Sequence, residues 1–182
     1  MQTSVIVRLV HELEQRPADP LVPPAFIRTY AGQQDIEPWL GIRNAAFAFL
    51  GGRPWTTGDF RREFLSQPWW PAATLWLAEI RSPDCQRLDL TGAASPRSGE
   101  RAVCVGSVLL APATRDPDGA VLRWLAVHPA WQRRGIARLL VTRAEQAAWD
   151  ARRPRILVET HARWTAALSF YTACGYRLID RT

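Results

Sequence analysis

Leu125-Ala126-Val127-His128-Pro129-Ala130-Trp131-Gln132-Arg133-Arg134-Gly135-Ile136-Ala137 is the stretch on which the reading of this chain turns. An apolar run ends at Val127 and Pro129 stops it. From Gly135 onward, Ile136, Leu139, Leu140, Ala144, Ala147 and Ala148 recur at helical spacing. The segment therefore reads as a strand, a tight turn and a helix start. The first N–H groups of a helix have no partners inside it, and they coincide with the positive end of the helix dipole, worth ~0.3–1 kcal/mol per facing charge. Together they make an anion site. Gly135 lets a phosphate approach the backbone closely, Ala137 adds little bulk, and Arg133, Arg134 and Arg138 offer charge-assisted contacts. Other phosphate motifs do not fit: the chain has no lysine for a P-loop and no Gly-x-Gly-x-x-Gly after an early strand. The plainer alternative is an arginine-rich helix start that only faces solvent.

Outward from this loop, alternating and apolar runs predict strands over 26–30, 73–80, 102–111, 120–127, 155–160 and 176–179. Helices are predicted from Asp35 to Phe49, closed by Gly51-Gly52, and over a short segment capped by Thr56 or Thr57 that carries Phe60 and Phe64. Two more follow, from Gly135 and over 163–173. Residues 1–15 read as a short helix or an arm, and the four prolines in 16–24 read as a linker. Residues 81–101, rich in turn formers, read as an exposed hairpin excursion. The order β-α-α-β-β-β-α-β-α-β implies an α/β (α+β) domain over 25–182, a mixed sheet with helices on both faces.

With 182 residues, 47% hydrophobic and 22% charged, the chain suits a single buried core. It has no apolar run long enough to span a bilayer, and its opening lacks a secretory cleavage pattern. Three unpatterned cysteines argue for reduced thiols and against a zinc site, so a cytoplasmic location and no metal are expected. All 23 basic residues are arginine and the formal charge is +6, which favours an anionic partner without choosing one. A nucleic-acid module is disfavoured because no basic strand face carries paired aromatics.

Gln132-Arg133-Arg134-Gly135-Ile136-Ala137 resembles the Gln/Arg-x-x-Gly-x-Gly/Ala motif of the GNAT superfamily of acetyl-CoA-dependent N-acetyltransferases. Leu125-Ala126-Val127-His128-Pro129 is similar to that family's Leu-x-Val-x-Pro, and Phe170-Tyr171-Thr172-Ala173-Cys174-Gly175-Tyr176 to its closing Phe-Tyr-x-x-x-Gly-Phe/Tyr. The resemblance implies a mostly antiparallel sheet of six to seven strands, splayed between the fourth (120–127) and fifth (155–160). It also implies acetyl-CoA as co-substrate. Its pyrophosphate would lie on the loop Gln132, Arg133, Arg134, Gly135, Ile136, Ala137 and Arg138, and its pantetheine arm along Leu125, Ala126 and Val127. Asn44-Ala45-Ala46-Phe47, Trp55-Thr56, Phe60 and Pro68-Trp69 look like the acetyltransferase domains of mycothiol synthases. Two departures stand out. Trp164 replaces an asparagine that often contacts the coenzyme, and Ala120-Val121-Leu122 lacks the glutamate that mycothiol synthases carry there.

Acetyl transfer needs a neutral amine, a nearby thioester, an oxyanion donor and a proton for the departing thiolate. The N–H of Val127 is the candidate oxyanion donor. The family places Tyr171 at the coenzyme sulfur, where a phenol of reference pKa about 10 would act as the acid. Glu159 resembles the strand glutamate of amino-terminal protein acetyltransferases. His161, two residues on and on the same strand face, has a reference pKa near 6.5 suited to proton removal. Each also has a structural alternative: a core aromatic for Tyr171, an arginine partner for Glu159, a backbone partner for His161. Glu79 is a further candidate base. The expected partners are acetyl-CoA and an amine acceptor, of a small molecule, peptide or protein amino terminus, with no nucleic acid, no membrane and room for a homodimer. A non-catalytic acyl-CoA sensor is the rival of another class.

Overall fold

The computed structural model describes residues 5–20, 25–70, 73–81, 102–114 and 116–181. The strands are β1 (Ile6–Glu12), β2 (Phe26–Thr29), β3 (Thr74–Arg81), β4 (Ala102–Pro112), β5 (Gly119–Val127), β6 (Arg155–His161) and β7 (Arg177–Arg181). The helices are α1 (Ile36–Ala46), α2 (Thr57–Phe60), α3 (Ile136–Asp150) and α4 (Thr165–Ala173). The strands form one mixed sheet in the order β2-β3-β4-β5-β6-β1-β7. β1 runs antiparallel to β6 and β7, β2 antiparallel to β3, and β5 parallel to β6. The excursion expected over 81–101 lies, from residue 82, outside the described residues.

One expectation is corrected. Residues 6–12 form not a short helix or an arm but a strand, β1, paired on both sides. Ile6, Val7 and Val10 are β-branched and pack best on a pleated surface, and Val7, Leu9 and Val10 are buried. The partners β6 and β7 lie some 150 residues downstream, so local periodicity carried no trace of the pairing.

The chain divides into two compact units. The first comprises Met1–Asp19, Leu110–Arg123 and Thr142–Thr182. Its centre is β1, with Leu9 opposite Val158 on β6 and Leu178 on β7. The last part of α3 turns two polar residues inward. Gln146 donates to the carbonyl of Pro17 (3.0 Å) and to Asp19 (2.9 Å), which ties the proline-rich segment to the helix. Glu145, also buried, meets His11 Nδ1 at 3.1 Å. α3 ends where Arg152 adopts φ 58° and the N–H of Arg153 donates to the carbonyl of Ala148 (2.8 Å), satisfying a terminal carbonyl.

The second unit comprises Pro20–Leu109 and Trp124–Val141. Of the two caps the sequence offered, Thr56 is the one used, and it forms a capping box: Thr56 Oγ1 accepts from the N–H of Asp59 while Asp59 returns a bond to the N–H of Thr56. Trp39, Phe60 and Phe64, all fully buried, pack edge-on at centroid distances of 5.0 to 5.1 Å about Trp39.

The parallel ladder of β5 with β6 runs from Gly119–Arg155 to Leu122–Val158, the first four residues of each strand. Just past its end, Trp124 holds φ 54°, a left-handed kink within β5.

Candidate functional site

The loop after β5 is shaped by its own side chains. The N–H of His128 donates to the carbonyl of Val105 (2.8 Å), which carries pairing with β4 one residue past the strand. Pro129–Trp131 then make a single 3-10 turn, and the side-chain amide of Gln132 reaches back to the carbonyl of Val127 (3.1 Å). Gln132 is therefore a clip that closes the turn. Arg133 takes φ 62° and Gly135 φ 81°, so the backbone winds left-handed on both sides of Arg134. At Gly135 this costs nothing special, whereas Arg133 pays a steric penalty on the order of 1–2 kcal/mol. The guanidinium of Arg134 lies over the ring of Trp131 at 4.7 Å.

The first bond of α3 joins the N–H of Leu139 to the carbonyl of Gly135 (3.0 Å). The amides of Ile136 and Ala137 thus precede the intrahelical ladder, and no acidic side chain stands in the first turn. Gln132, Arg133, Arg134, Gly135 and Arg138 are exposed, while Ile136 is 1% exposed and anchors the turn.

Gly106 is a positioning residue that the sequence reading passed over. A Cβ there would meet Leu140 Cδ1 at 3.0 Å, the carbonyl oxygen of Ala126 at 3.2 Å and Ile136 Cγ2 at 3.2 Å. Only a glycine in β4 lets the first turns of α3 settle this closely against the strands. A glycine inside an apolar strand was the available signal.

Glu159 and His161 share the less buried face of β6, whose odd positions are exposed or half-buried and whose even positions are buried. Glu159 is exposed and accepts from Arg8 Nε at 2.8 Å, directly across the β1–β6 ladder. The structural alternative foreseen for it is realised with a partner 151 residues away. The ring of His161 lies 4.5 Å from that of Trp164. Tyr171, on α4, is 7% exposed and packs against Tyr176 and Phe170, each at 5.4 Å. Burial pushes its phenol well above the ordinary tyrosine range, with Cys174 adding to the effect.

Glu79 is committed elsewhere. Its Oε1 accepts from Arg28 Nε at 2.6 Å, and the same guanidinium grips Asp35 through two bonds of 2.7 and 2.8 Å. Burial works against the Asp35 carboxylate, yet the bonds from Arg28 and the N–H of Ala31 hold it below its ordinary range. Cys104, donating to Glu79 at 3.7 Å, is pushed up to about 12 by burial and then by the Glu79 charge. This is a braced ionic cluster joining β2, β3 and β4. Asn44 is structural as well. Its amide exchanges two hydrogen bonds with the backbone of Trp55, at 2.8 and 2.9 Å, replacing a strand partner for that loop.

Residues 98–178 match the family model described as an acetyltransferase (GNAT) domain. The chain carries a GNAT acetyltransferase domain. It is 34% identical over 139 residues to mycothiol acetyltransferases of Mycobacterium marinum and Mycobacterium ulcerans, an alignment covering 74% of this chain and 39% of each relative. The chain thus spans about two fifths of the length of these curated relatives. Among solved structures it is similar to a GCN5-related N-acetyltransferase from Sphaerobacter thermophilus (TM-score 0.69, 18% identity, 98% of this chain and 49% of that one). It is also similar to a tandem GNAT protein from the clavulanic acid biosynthesis pathway (TM-score 0.67, 11% identity, 100% and 52%). At these identities the structural matches speak for the fold. Among the described residues no group of three or more His, Cys, Asp or Glu is placed to hold a metal, and no helix is long and apolar enough to cross a membrane.

Proposed function

We propose that the GNAT domain transfers an acetyl group from acetyl-CoA directly to a primary amine of a small molecule or peptide, within a ternary complex. The observation that carries this reading is the cradle after β5: two left-handed residues, an exposed backbone and a helix start free of acidic side chains. In this reading the amides of Gly135, Ile136 and Ala137 face the pyrophosphate, with Arg133, Arg134 and Arg138 around it. The backbone of Leu125, Ala126 and Val127 pairs with the pantetheine arm, and the N–H of Val127 polarises the thioester carbonyl.

Tyr171 is the proposed acid. Its burial keeps the phenol protonated across the neutral range, so a donor is always in place for the departing thiolate. His161, whose reference pKa near 6.5 suits proton removal, is the favoured base; the Glu159 carboxylate accepts from Arg8. Glu79, held by Arg28 and Cys104, serves structure in this scheme. The acceptor, a cytoplasmic setting and any dimer belong to the same proposal.

The test is release of free thiol from acetyl-CoA in the presence of a library of amines. Amine-dependent release is expected. Tight acetyl-CoA binding with no release for any amine would replace the enzyme by an acyl-CoA sensor.

A further inference from the structure

Arg43, in the last turn of α1, forms no ion pair among the described residues. Its guanidinium carbon sits 4.1 Å over the ring of Trp55 and 5.8 Å from that of Phe47. One nitrogen, Nη1, donates to Asn44 Oδ1 at 3.1 Å. Nε is buried and has no hydrogen-bond acceptor among the described residues. A buried donor left unmade is costly, and natural structures keep few of them.

The carboxylate whose charge acts on Arg43, Asp59, is already spent. Asp59 Oδ1 accepts from Arg53 Nη2 (2.7 Å) and Arg62 Nη2 (2.6 Å), while Oδ2 accepts from Arg53 Nη1 (2.5 Å), the N–H of Thr56 (2.8 Å) and its hydroxyl (2.9 Å). Two arginines and the capping box saturate it, so Arg43 feels Asp59 only at a distance. Burial correspondingly lowers the guanidinium's hold on its proton, a mark of a cation short of counter-charge.

The surroundings fit a ligand with an apolar body. Trp55 stacks edge-on against Trp124 at 4.9 Å, and Phe47 lies 6.5 Å from Trp124 and 6.4 Å from Phe49. Phe49 is 68% exposed and Leu50 41%, so apolar surface beside the charge reaches solvent. Trp124 is in β5, the residue immediately before Leu125; its φ is 54° and its ring forms part of this nest.

We infer that Arg43 and the aromatic residues around it form the acceptor subsite, and that the acceptor amine carries a carboxylate that supplies counter-charge to the half-buried Arg43 guanidinium while its apolar part rests on the ring wall. A short peptide with a free C-terminus and a large apolar side chain is the matching class. A planar carboxylate suits the fork of a guanidinium whose face is already stacked. The inference rests on the acetyltransferase reading, since it takes the start of the pantetheine strand as its neighbour.

The test compares dipeptides ending in an aromatic residue with their C-terminal amides. The reacting amine is remote from the change, so its own basicity stays nearly constant. Binding to the CoA-saturated protein is measured by calorimetry, beside kcat/KM for thiol release. The acid should be preferred over the amide by about tenfold to a hundredfold, the range for a charge-assisted bond made in a desolvated site. Arg43→Gln should erase that preference while acetyl-CoA affinity stays unchanged, and Arg43→Lys, which keeps the charge but not the fork, should retain part of it. Equal binding of acid and amide by the natural protein, or a preference that survives Arg43→Gln, overturns the inference. Absence of thiol release with the binding preference intact would instead overturn the catalytic reading and leave the subsite standing.

Discussion

The start of α3 and the end of β6 are made of different material. The cradle at residues 132–137 is built from backbone: left-handed turns at Arg133 and Gly135, a side-chain clip from Gln132, and amides that precede the helical ladder. The end of β6 is built from side chains, Glu159 engaged with Arg8 and His161 lying on Trp164. A backbone site is written in consecutive residues and depends on few alternatives. A side-chain site depends on what the rest of the chain delivers, here an arginine from β1. Binding chemistry is therefore much better specified than proton chemistry in this molecule.

The largest expected effect falls on another side chain of the proposed proton chemistry, on α4. Tyr171→Phe should slow thiol release about 10²–10⁴-fold, the usual range for losing a general acid, with acetyl-CoA affinity nearly intact. Steady-state rates and calorimetry separate the two. Rates within threefold of the natural protein would remove Tyr171 from catalysis and return it to the core. Because its phenol titrates above the ordinary tyrosine range, it stays protonated to beyond about pH 10, so any alkaline loss of rate below that must come from another group.

The backbone half breaks through its support. Gly106→Val puts methyl groups where Leu140, Ile136 and the Ala126 carbonyl already sit within 3.0 to 3.2 Å of a Cβ. Overpacking of this kind costs about 1–3 kcal/mol. The melting temperature should fall, and acetyl-CoA should bind more weakly even well below that temperature. A stable variant with unchanged affinity would show that the α3 start does not depend on this contact.

The smallest effect sharpens the comparison. Glu159→Gln removes an exposed pair with Arg8 and should change stability by less than about 1 kcal/mol. If His161 is the base, Glu159→Gln leaves the acid limb of the kcat/KM profile in place and His161→Gln abolishes it. The reverse pattern would transfer the role to Glu159.

How much of this could be read in advance follows the same division. The strand, turn and helix at 125–148 lie in register within the sequence, so glycine, proline and apolar spacing sufficed. The Thr56–Asp59 cap, three residues apart, was equally local, and the Arg53 and Arg62 grip on Asp59 could have been suspected from spacing alone. β1 was read as helix or arm because its two partners come from the far end of the chain. The Arg8–Glu159 pair was hidden for the same reason, and the Glu79 end of the Arg28 bridge comes from another strand 51 residues on. Trp124 shows another limit: a tryptophan with a left-handed backbone has no sequence signature, yet its ring forms part of the aromatic nest beneath Arg43.

The most direct test of the central claim is acetyl-CoA titrated by calorimetry into the natural protein and into Gly135→Glu. The variant places a carboxylate and a strained left-handed residue where the cradle opens. The account predicts a measurable affinity for the natural protein and a loss of at least about a hundredfold in the variant, consistent with a close charge clash plus the lost backbone approach. The variant's melting temperature without ligand should stay within a few degrees. Equal affinity for both proteins would contradict the account.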